Sequence, residues 1–447
     1  MRKEVYLYGI APCTGGLAFG YDTGSMSGIL AMPQFLNFFN QPSNFLQGGI
    51  TASILAGAFV GSLLTGAFLA DRLGRRYTIL LGSAIFTIGC AISAAANNVE
   101  ALIAGRVING LGNGCLTMMV TMYQSEVAPR EQCVLAVTNG STDAADGENS
   151  SQATVALHVT MWFMPESPRW LVQKDRQEEA LQVLARIHGG GNVEDKYVRA
   201  EYEEIVAKLQ FEKSHKAPSY YDLLLGSQKR RMWIGIGVQF WQSMTGINVI
   251  MYYAVFLFQQ AGLGATSSSL LANGLQGVVL NLFTYPNMFY MDKWGRRWPM
   301  IIGGVGMGIA MLIIGVVMKT EGNPVYDELT KKTNFNFSSP AASRVVIAFV
   351  YVYVAVFAIT WACVAWVYPP EIFSMSMRGR ATSMTTATNW FVESAGKTLE
   401  EMDFLFTKDR TPFTFLDHDA VKIGALFERD LAQGEALTVF GDGKGLV

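Results

Sequence analysis

The sequence is poor in charged residues and carries no excess of positive charge. Only 16% of its 447 residues are charged, whereas 50% are hydrophobic and the mean hydropathy is +0.24. A soluble enzyme of this length normally contains more charge, so the composition favours a polytopic membrane protein. The formal net charge of −2 gives no overall basic surface and therefore no case for nucleic acid as a partner.

Histidine and cysteine are also scarce, and their placement argues against catalytic and metal chemistry. The four histidines are scattered, and the five cysteines show no spacing typical of a disulfide framework or a zinc site. No nucleophile, general base or metal cluster can be recognised. We therefore expect neither an enzyme nor a bound cofactor or metal.

Long apolar stretches are abundant. A bilayer core needs about 20 mostly apolar residues per helix. The first such stretch contains Asp22 and is too long for a cleaved signal peptide, so it predicts a first transmembrane helix. Two apolar stretches, 154–164 and 381–392, are too short to cross a bilayer alone. The stretches that are long enough lie at 7–31, 50–70, 77–97, 101–123, 233–258, 269–291, 299–318 and 344–368.

The distribution of Lys and Arg orients these spans. Most of them lie in "DRLGRR" (71–76), "DKWGRR" (292–297), "SMRGR" (376–380) and the long segment 169–231. The positive-inside rule places these loops, and with them both termini, in the cytoplasm. Within 169–231, apolar residues recur at helical spacing between charged ones, which predicts soluble amphipathic helices.

The chain contains an internal repeat. "DRLGRR" and "DKWGRR" each follow the second span of a half, and "YQSEVAPRE" and "YPPEIFSMSMRGR" follow the fourth span of each half. Parallel repeats of this kind are typical of transporters that hold a substrate between two bundles near the bilayer midplane.

Ordered motifs carry a family resemblance. "GGLAFGYDTGSMSGIL", "DRLGRR", "GRVINGLGNG", "PESPRWL", "GINVIMYYA", "DKWGRR", "YPPEIF" and "KTLEEMDFLF" together resemble the sugar porter family of the major facilitator superfamily, most closely its fungal monosaccharide permeases. The resemblance implies two bundles of six helices joined by a cytoplasmic helical domain. It also implies uptake of a hexose-like sugar by alternating access, by symport with a proton.

Compared with that family, the chain looks incomplete. The acidic stretch 136–158 stands where a fifth helix and half of a sixth are expected, and "TNWFVESAGKTLEEMD" passes from an early eleventh helix to the post-membrane tail. We therefore expect an all-α membrane protein with an incomplete major facilitator fold and about eight full transmembrane helices. The expected segments are an N-terminal bundle (1–132), a junction with a remnant of helix 6 (133–168), a cytoplasmic linker (169–231), a C-terminal bundle (232–392) and a cytoplasmic tail (393–447).

An ionisable residue within a span is costly and therefore a candidate for function. The resemblance makes Asp22 the candidate protonation site and Arg106 its charge partner, although a static ion pair is the alternative. Sequence alone does not separate proton symport from facilitated diffusion.

Sugars need several hydroxyl partners and an aromatic face. "QFWQSMTGINVIMYY" supplies candidates on what reads as one helix, where Ser243 replaces a second Gln common in the family, and Ala362-Cys363 replaces a Gly-Pro. Core or interfacial packing is the alternative role for the aromatic residues. The residues that the resemblance maps to sugar contacts are Phe19, Gln242, Asn248, Tyr252, Trp366 and Trp390.

The repeated loops supply a charge network that, by resemblance, closes the cytoplasmic face. Such ion pairs form when one face is closed and break when it opens, and purely topogenic charge is the alternative. The expected gate consists of Asp71, Arg75, Arg76, Glu126, Asp292, Arg296, Arg297, Glu371 and Arg378. Separately, Gly57/Gly61 and Gly110/Gly114 predict close helix contacts.

Other readings remain open. The chain is either an altered or decaying copy without transport activity, or a real eight-helix derivative whose flanks another chain or lipid covers. A membrane sugar sensor is an alternative from another functional class. We expect a plasma-membrane protein whose partners are a monosaccharide, a proton and the lipid bilayer; its oligomeric state is undetermined.

Overall fold

The computed structural model describes residues 29, 32–40, 42, 44–127, 150–213, 220–226, 228–248, 250–251, 258, 275–327, 332–337 and 339–394. All of them belong to one compact unit, residues 1–398. Phe19, Asp22 and Tyr252 lie outside the described residues, as does the stretch 128–149.

Helices dominate the described structure. The first group is α1 (Pro33–Phe38), α2 (Asn44–Leu64) with a π-helical continuation (Thr65–Leu69), α3 (Arg75–Ala94), α4 (Val99–Val127) and α5 (Ser150–Phe163). The linker region contains α6 (Pro168–Gln173), α7 (Gln177–Ile187), α8 (Lys196–Lys213) and α9 (Tyr220–Leu224). The last group is α10 (Lys229–Met244), α11 (Gln276–Trp294), α12 (Arg297–Glu321), β1 (Gly322–Asp327), β2 (Lys332–Phe337), α13 (Pro340–Ile372) and α14 (Met375–Ser394).

Four of the described helical segments are both long and apolar enough to cross a membrane. They are Leu46–Leu69, Arg75–Ala94, Arg297–Glu321 and Pro340–Ile372, and they confirm four of the spans predicted from the sequence. The 29-residue α4 covers a fifth predicted span at sufficient length, with a lower mean hydropathy. The protein is thus a polytopic helical membrane protein.

The repeated loops fold alike in the two halves. Gly74 and Gly295 both adopt a positive φ, +90° and +70°, which glycine enters without steric cost. Helix α3 begins at Arg75, immediately after the first glycine, and α12 begins at Arg297, two residues after the second. "DRLGRR" and "DKWGRR" therefore make equivalent turns into the third helix of each half.

Close contact between α2 and α4 depends on glycine. A Cβ atom on Gly57 would lie 2.3 Å from the carbonyl oxygen of Val107, and one on Gly110 would lie 2.2 Å from that of Ile54. The predicted small-xxx-small contacts are thus confirmed, because any side chain there would collide with backbone of the other helix.

One expectation about the C-terminal half was wrong, and one local feature was not predicted. The connection between α12 and α13 contains an antiparallel hairpin, in which β1 pairs with β2 from Gly322–Phe337 to Asp327–Lys332, a local addition to the helical fold. The predicted helix 233–258 is interrupted, because α10 ends at Met244 and Gly246 adopts φ +88°. Gln242 and Asn248 therefore do not lie on one continuous helix.

The two short apolar stretches differ in the structure. Helix α5 has 14 residues, or about 21 Å, which is shorter than a bilayer core of about 30 Å. Helix α14 has 20 residues, or about 30 Å, but it is not among the four described segments that are both long and apolar enough to cross a membrane. Its length beyond the apolar stretch 381–392 comes from residues 375–380 and 393–394.

The linker helices have their own core. Trp170, Leu184, Val198, Ile205 and Leu209 are buried among α6, α7 and α8. Ser167 caps α6 by accepting a hydrogen bond from the backbone N–H of Trp170, and Pro168 occupies the first turn. The amphipathic helices predicted for 169–231 are confirmed.

Candidate functional site

A buried ion-pair network joins the helix ends at the basic loops. The Arg75 guanidinium donates to both carboxylate oxygens of Glu126, Nε to Oε2 at 2.9 Å and Nη2 to Oε1 at 3.0 Å. Both side chains are almost fully buried, at 3% and 1% exposure. Because a planar guanidinium and a carboxylate pair through two parallel hydrogen bonds, α3 and α4 are fixed in orientation at this end.

Further groups complete the environment of Glu126. The Ser167 hydroxyl donates to Oε2 at 2.6 Å, and Arg378 Nη1 lies 3.8 Å from Oε1. Arg378 belongs to α14 of the C-terminal half, so this carboxylate faces cations from both halves. Asp71 is more distant, with its Oδ1 3.9 Å from Arg75 Nη1.

Glu166 is a part of this network that the sequence reasoning did not identify. One carboxylate oxygen accepts backbone hydrogen bonds from Arg75 at 2.9 Å, Arg76 at 3.2 Å and Ser167 at 2.9 Å. Burial raises the pKa of Glu166 above its ordinary value, although these N–H groups act in the opposite direction. Glu166 could have been found from the sequence because it lies in "PESPRWL", one of the motifs that carry the family resemblance.

Arg76, at the end of the "DRLGRR" loop, donates hydrogen bonds to the C-terminal end of α5. Its Nε donates to the carbonyl oxygen of Met161 at 3.1 Å, and its Nη2 donates to that of Trp162. Tyr123 donates to the carbonyl oxygen of Pro165 at 2.8 Å. The C-terminal end of the short α5 is thus anchored on α3 and α4.

The corresponding pair in the C-terminal half is more exposed. Arg296 donates to Glu371 through Nε at 3.1 Å and Nη2 at 2.9 Å, with side-chain exposures of 22% and 35%. Arg297 is exposed at the start of α12, and the side chain of Asp292 lies outside the described part of the structure. The structure therefore brings together Asp71, Arg75, Glu126 and Arg378 as one group, and Arg296 with Glu371 as another.

The two halves touch near this end. A Cβ on Gly66, in the π-helical segment, would lie 2.2 Å from the Cβ of Ser383 on α14. Ser383 and Thr65 are fully buried there. The halves are therefore in close contact at the end that carries the basic loops.

A polar cluster lies between α10 and α14. The Ser243 hydroxyl donates to Asn389 Oδ1 at 2.9 Å, and Asn389 Nδ2 donates to Glu393 Oε1 at 2.7 Å. Gln239, one turn before Ser243, donates to the carbonyl oxygen of Ala365 at 2.9 Å. In the part of the chain that the structure describes, the amide oxygens of Gln239 and Gln242 are buried without a hydrogen-bond partner.

The candidate aromatic residues lie at the contact between the halves. Trp390 is fully buried, and its ring centroid is 6.4 Å from that of Trp366. Both rings pack against Ile54, Leu55 and Ala58 of α2. In this conformation they serve as packing between the two halves, beside the polar cluster.

The candidate proton-coupling pair is only half described. Arg106 is buried at 4% exposure on α4, and its Nε donates to the carbonyl oxygen of Ile50 at 2.9 Å. Asp22 lies outside the described residues, so their pairing stays a prediction.

Helix α13 is continuous where the family's Gly-Pro is replaced. Its 33 residues run through Ala362 and Cys363, which are both buried. Because neither residue is a proline, both keep the backbone N–H that a helix uses.

Comparisons with known proteins agree with this architecture. The family model described as "Sugar (and other) transporter" matches residues 9–139 and 150–411. The MFS glucose transporter mfs1 of Aspergillus flavus is 34% identical over 428 residues, covering 87% of this chain and 80% of the relative. The high glucose sensor RGT2 of Saccharomyces cerevisiae is 31% identical over 419 residues, covering 86% of this chain and 52% of the relative.

A solved structure shows the same fold. The proton:xylose symporter XylE bound to 6-bromo-6-deoxy-D-glucose superposes with a TM-score of 0.74 at 25% identity. The match covers 94% of this chain and 90% of that structure.

Proposed function

Because the chain belongs to the sugar (and other) transporter family of the major facilitator superfamily, we propose that it moves a hexose-like monosaccharide across a membrane by alternating access. The observation that carries the proposal is the buried polar cluster between α10 and α14. Buried amide oxygens without partners, at Gln239 and Gln242, are unfavourable unless a ligand or water satisfies them. Sugar hydroxyl groups are suitable donors.

The neighbouring residues suit the same ligand. Asn248 and Asn389 supply amide donors and acceptors, and Trp366 and Trp390 supply aromatic faces at the contact between the halves. A substrate at this point lies between two bundles that move relative to each other. Phe19 and Tyr252 complete the proposed site by their place in the family motifs.

The network around Glu126 acts as the gate at the basic, cytoplasmic end. Arg75 and Arg378 reach Glu126 from different halves. Separation of the halves removes Arg378 from this carboxylate and opens the end. Arg296 and Glu371 form the corresponding gate pair in the second half. This pair contributes less stabilising free energy, because water reaches both side chains.

We further propose proton symport through Asp22, with Arg106 as its charge partner. Protonation of the Asp22 carboxylate releases Arg106 and shifts the equilibrium between the two states. XylE, which has the same fold, is a proton:xylose symporter. An Asp22→Asn variant is therefore expected to lose uphill uptake while it keeps exchange of sugar down a gradient.

The apolar surface of α5 faces lipid in this proposal. Val155, Val159, Trp162 and Phe163 are between 48% and 81% exposed. Acyl chains can cover such side chains, so the short helix needs no further transmembrane partner on this face.

The protein resides in the plasma membrane with both termini in the cytoplasm. Epitope tags at each terminus, tested before and after permeabilisation of the cells, would establish this topology.

Radiolabelled hexose uptake tests the proposal. The 447-residue chain is expressed in cells that lack their own hexose transporters, with surface expression confirmed. Saturable uptake that an uncoupler abolishes is expected, and Asp22→Asn serves as the matched variant. Uptake that is insensitive to the uncoupler would contradict proton symport but not sugar transport. Absence of uptake would contradict sugar transport itself.

A sugar sensor is the second candidate, because the sensor RGT2 is 31% identical to this chain. A sensor binds sugar without moving it. Sugar-dependent thermal stabilisation of the purified protein, together with absent uptake, would favour this candidate. Absence of both would indicate a nonfunctional truncated paralogue.

A further inference from the structure

Three cations stand side by side at the beginning of α10. Lys229, Arg230 and Arg231 are all exposed, and the first turn of this helix contains no acid. None of the three forms an ion pair with a residue that the structure describes. Adjacent positive charges that the fold does not balance create a local field that attracts anions.

Packing fixes the level of this turn relative to the membrane helices. Met232 is buried against Phe373 and Met377, where α13 ends and α14 begins. Gln239, seven residues further along α10, donates to the carbonyl oxygen of Ala365 inside α13. Helix α10 therefore enters the bundle from the end that carries the "SMRGR" loop. At a rise of about 1.5 Å per residue, the three cations lie within about 5 Å of Met232 along the helix axis, at the edge of the bundle.

The cations continue a face of α10 that is exposed and apolar. Trp233 follows Lys229 by four residues and Arg230 by three, so it shares a helix face with both, and it is 57% exposed. In a membrane protein such a face contacts acyl chains, and tryptophan beside cations is typical of the bilayer interface. Lys229 and Arg230 therefore lie at the level of the lipid headgroups. The exposed apolar side chains further along the helix are Ile234, Phe240, Trp241 and Met244.

We propose that this turn binds a phosphorylated phosphatidylinositol, with Lys229 and Arg230 on its phosphate groups and Trp233 beside the start of its acyl chains. Basic residues next to a membrane helix attract anionic lipids, and each adds to the affinity. Because the cations are adjacent, one headgroup with several phosphates can meet more than one of them, whereas a singly charged headgroup cannot. Arginine suits this ligand because its planar guanidinium can donate two hydrogen bonds to one phosphate. The lipid belongs to the cytoplasmic leaflet in the proposed orientation of the protein, and the assignment does not depend on the sugar site.

Lipid binding to the purified full chain in detergent tests the proposal. The probe is a fluorescent short-chain phosphatidylinositol bisphosphate, followed by anisotropy. Phosphatidylserine, phosphatidylcholine and soluble inositol trisphosphate serve as competitors. The test variant is Lys229→Gln/Arg230→Gln, and Lys229→Arg/Arg230→Lys keeps the charge. The matched control is Lys196→Gln/Arg199→Gln, which removes two exposed cations from the linker helix α8. Melting temperatures establish that each variant is folded.

The wild type is expected to bind the bisphosphate lipid at least about tenfold more tightly than phosphatidylserine or phosphatidylcholine, and less tightly as salt is added. Removal of two basic residues beside the membrane should weaken binding about thirtyfold. The charge-preserving variant and the linker control should stay within about threefold of the wild type. Soluble inositol trisphosphate should compete at least about tenfold more weakly than the lipid, because it lacks acyl chains for the apolar face.

Equal affinity for phosphatidylserine and the bisphosphate lipid, or unchanged binding by Lys229→Gln/Arg230→Gln, would overturn the proposal and leave these cations with a role in orientation alone. An equal loss in the linker control would also overturn it, by showing a general effect of charge. Competition by inositol trisphosphate as strong as that by the lipid would indicate a soluble phosphate compound instead. Binding is measured without sugar, so failure of this proposal leaves the proposed transport function intact, and absence of sugar uptake does not affect the lipid measurement.

Discussion

Removal of the Glu126 carboxylate should be among the most destabilising single changes in this protein. Glu126 accepts two hydrogen bonds from Arg75 and one from Ser167, and the pair is 97% or more shielded from solvent. Glu126→Ala leaves the Arg75 charge buried without its main partner. Breaking a buried ion pair in this way costs about 3–5 kcal/mol.

A double-mutant cycle separates the pair from its surroundings. Arg75→Met combined with Glu126→Leu replaces both charges by apolar groups, a change that is often nearly neutral for buried pairs. The double variant should therefore be more stable than either single variant, with a coupling free energy of at least about 2 kcal/mol. The free energy of unfolding is measured by denaturant titration in detergent. The exposed linker pair provides the control, since Glu179→Ala should cost at most about 1 kcal/mol; its partner Arg176 is 51% exposed.

The same change tests the gate. In a cysteine-free background, Ser383→Cys reports access to the contact with Gly66, because Ser383 is fully buried. If Glu126 holds this end closed, Glu126→Gln should raise the alkylation rate of that cysteine about tenfold or more, since each 1.4 kcal/mol changes a population ratio tenfold. An unchanged alkylation rate, or single-variant effects that simply add, would refute the gating argument.

Three further changes probe other parts of the structure. Gly110→Ala should destabilise the fold by about 1–3 kcal/mol, because its Cβ would lie 2.2 Å from the carbonyl oxygen of Ile54; a melting temperature equal to wild type would contradict the close contact. Because burial raises the pKa of Glu166, the folded chain holds this proton more tightly than the unfolded chain and loses stability as pH rises through the folded pKa. The melting temperature of Glu166→Gln relative to wild type should therefore increase with pH above 4.5, the ordinary value, and a constant difference would count against this shift. Arg296→Ala should cost only about 0–1 kcal/mol, since its partner Glu371 is 35% exposed; a loss as large as that of Glu126→Ala would show that exposure is not what separates the two pairs.

Much of the fold could be predicted because its signals are local. Apolar length fixed the positions of α2, α3, α12 and α13, and glycine spacing predicted the contact between α2 and α4. The repeated "DxxGRR" loops needed a glycine at the same place, and the positive φ of Gly74 and Gly295 provides the reason.

Prediction failed where the apolar pattern of the sequence favours one structure and the backbone adopts another. The apolar residues of 233–258 predict one continuous helix, but Gly246 adopts φ +88° and interrupts it. The hairpin 322–337 has strands of only six residues each and lacks clear hydrophobic alternation, so its pairing is not visible in sequence.

The charged end shows what sequence could and could not supply. Arg75, Glu126 and Arg378 were predicted to be gate residues, but nothing in the local sequence indicates that the Glu126 carboxylate lies near both arginines. Glu166 was missed as a site residue because its importance comes from a distant partner, the Arg75 loop.

Counterflow in proteoliposomes measures sugar transport by this chain with the fewest components, because it requires only the purified 447-residue chain and a sugar. Vesicles loaded with unlabelled hexose are diluted into labelled hexose, with empty vesicles and the Glu126→Ala variant for comparison. We expect transient accumulation of label with the wild type and a strongly reduced signal with the variant. A wild-type signal no greater than that of empty vesicles, from protein shown to be folded, would contradict the claim that this chain transports sugar.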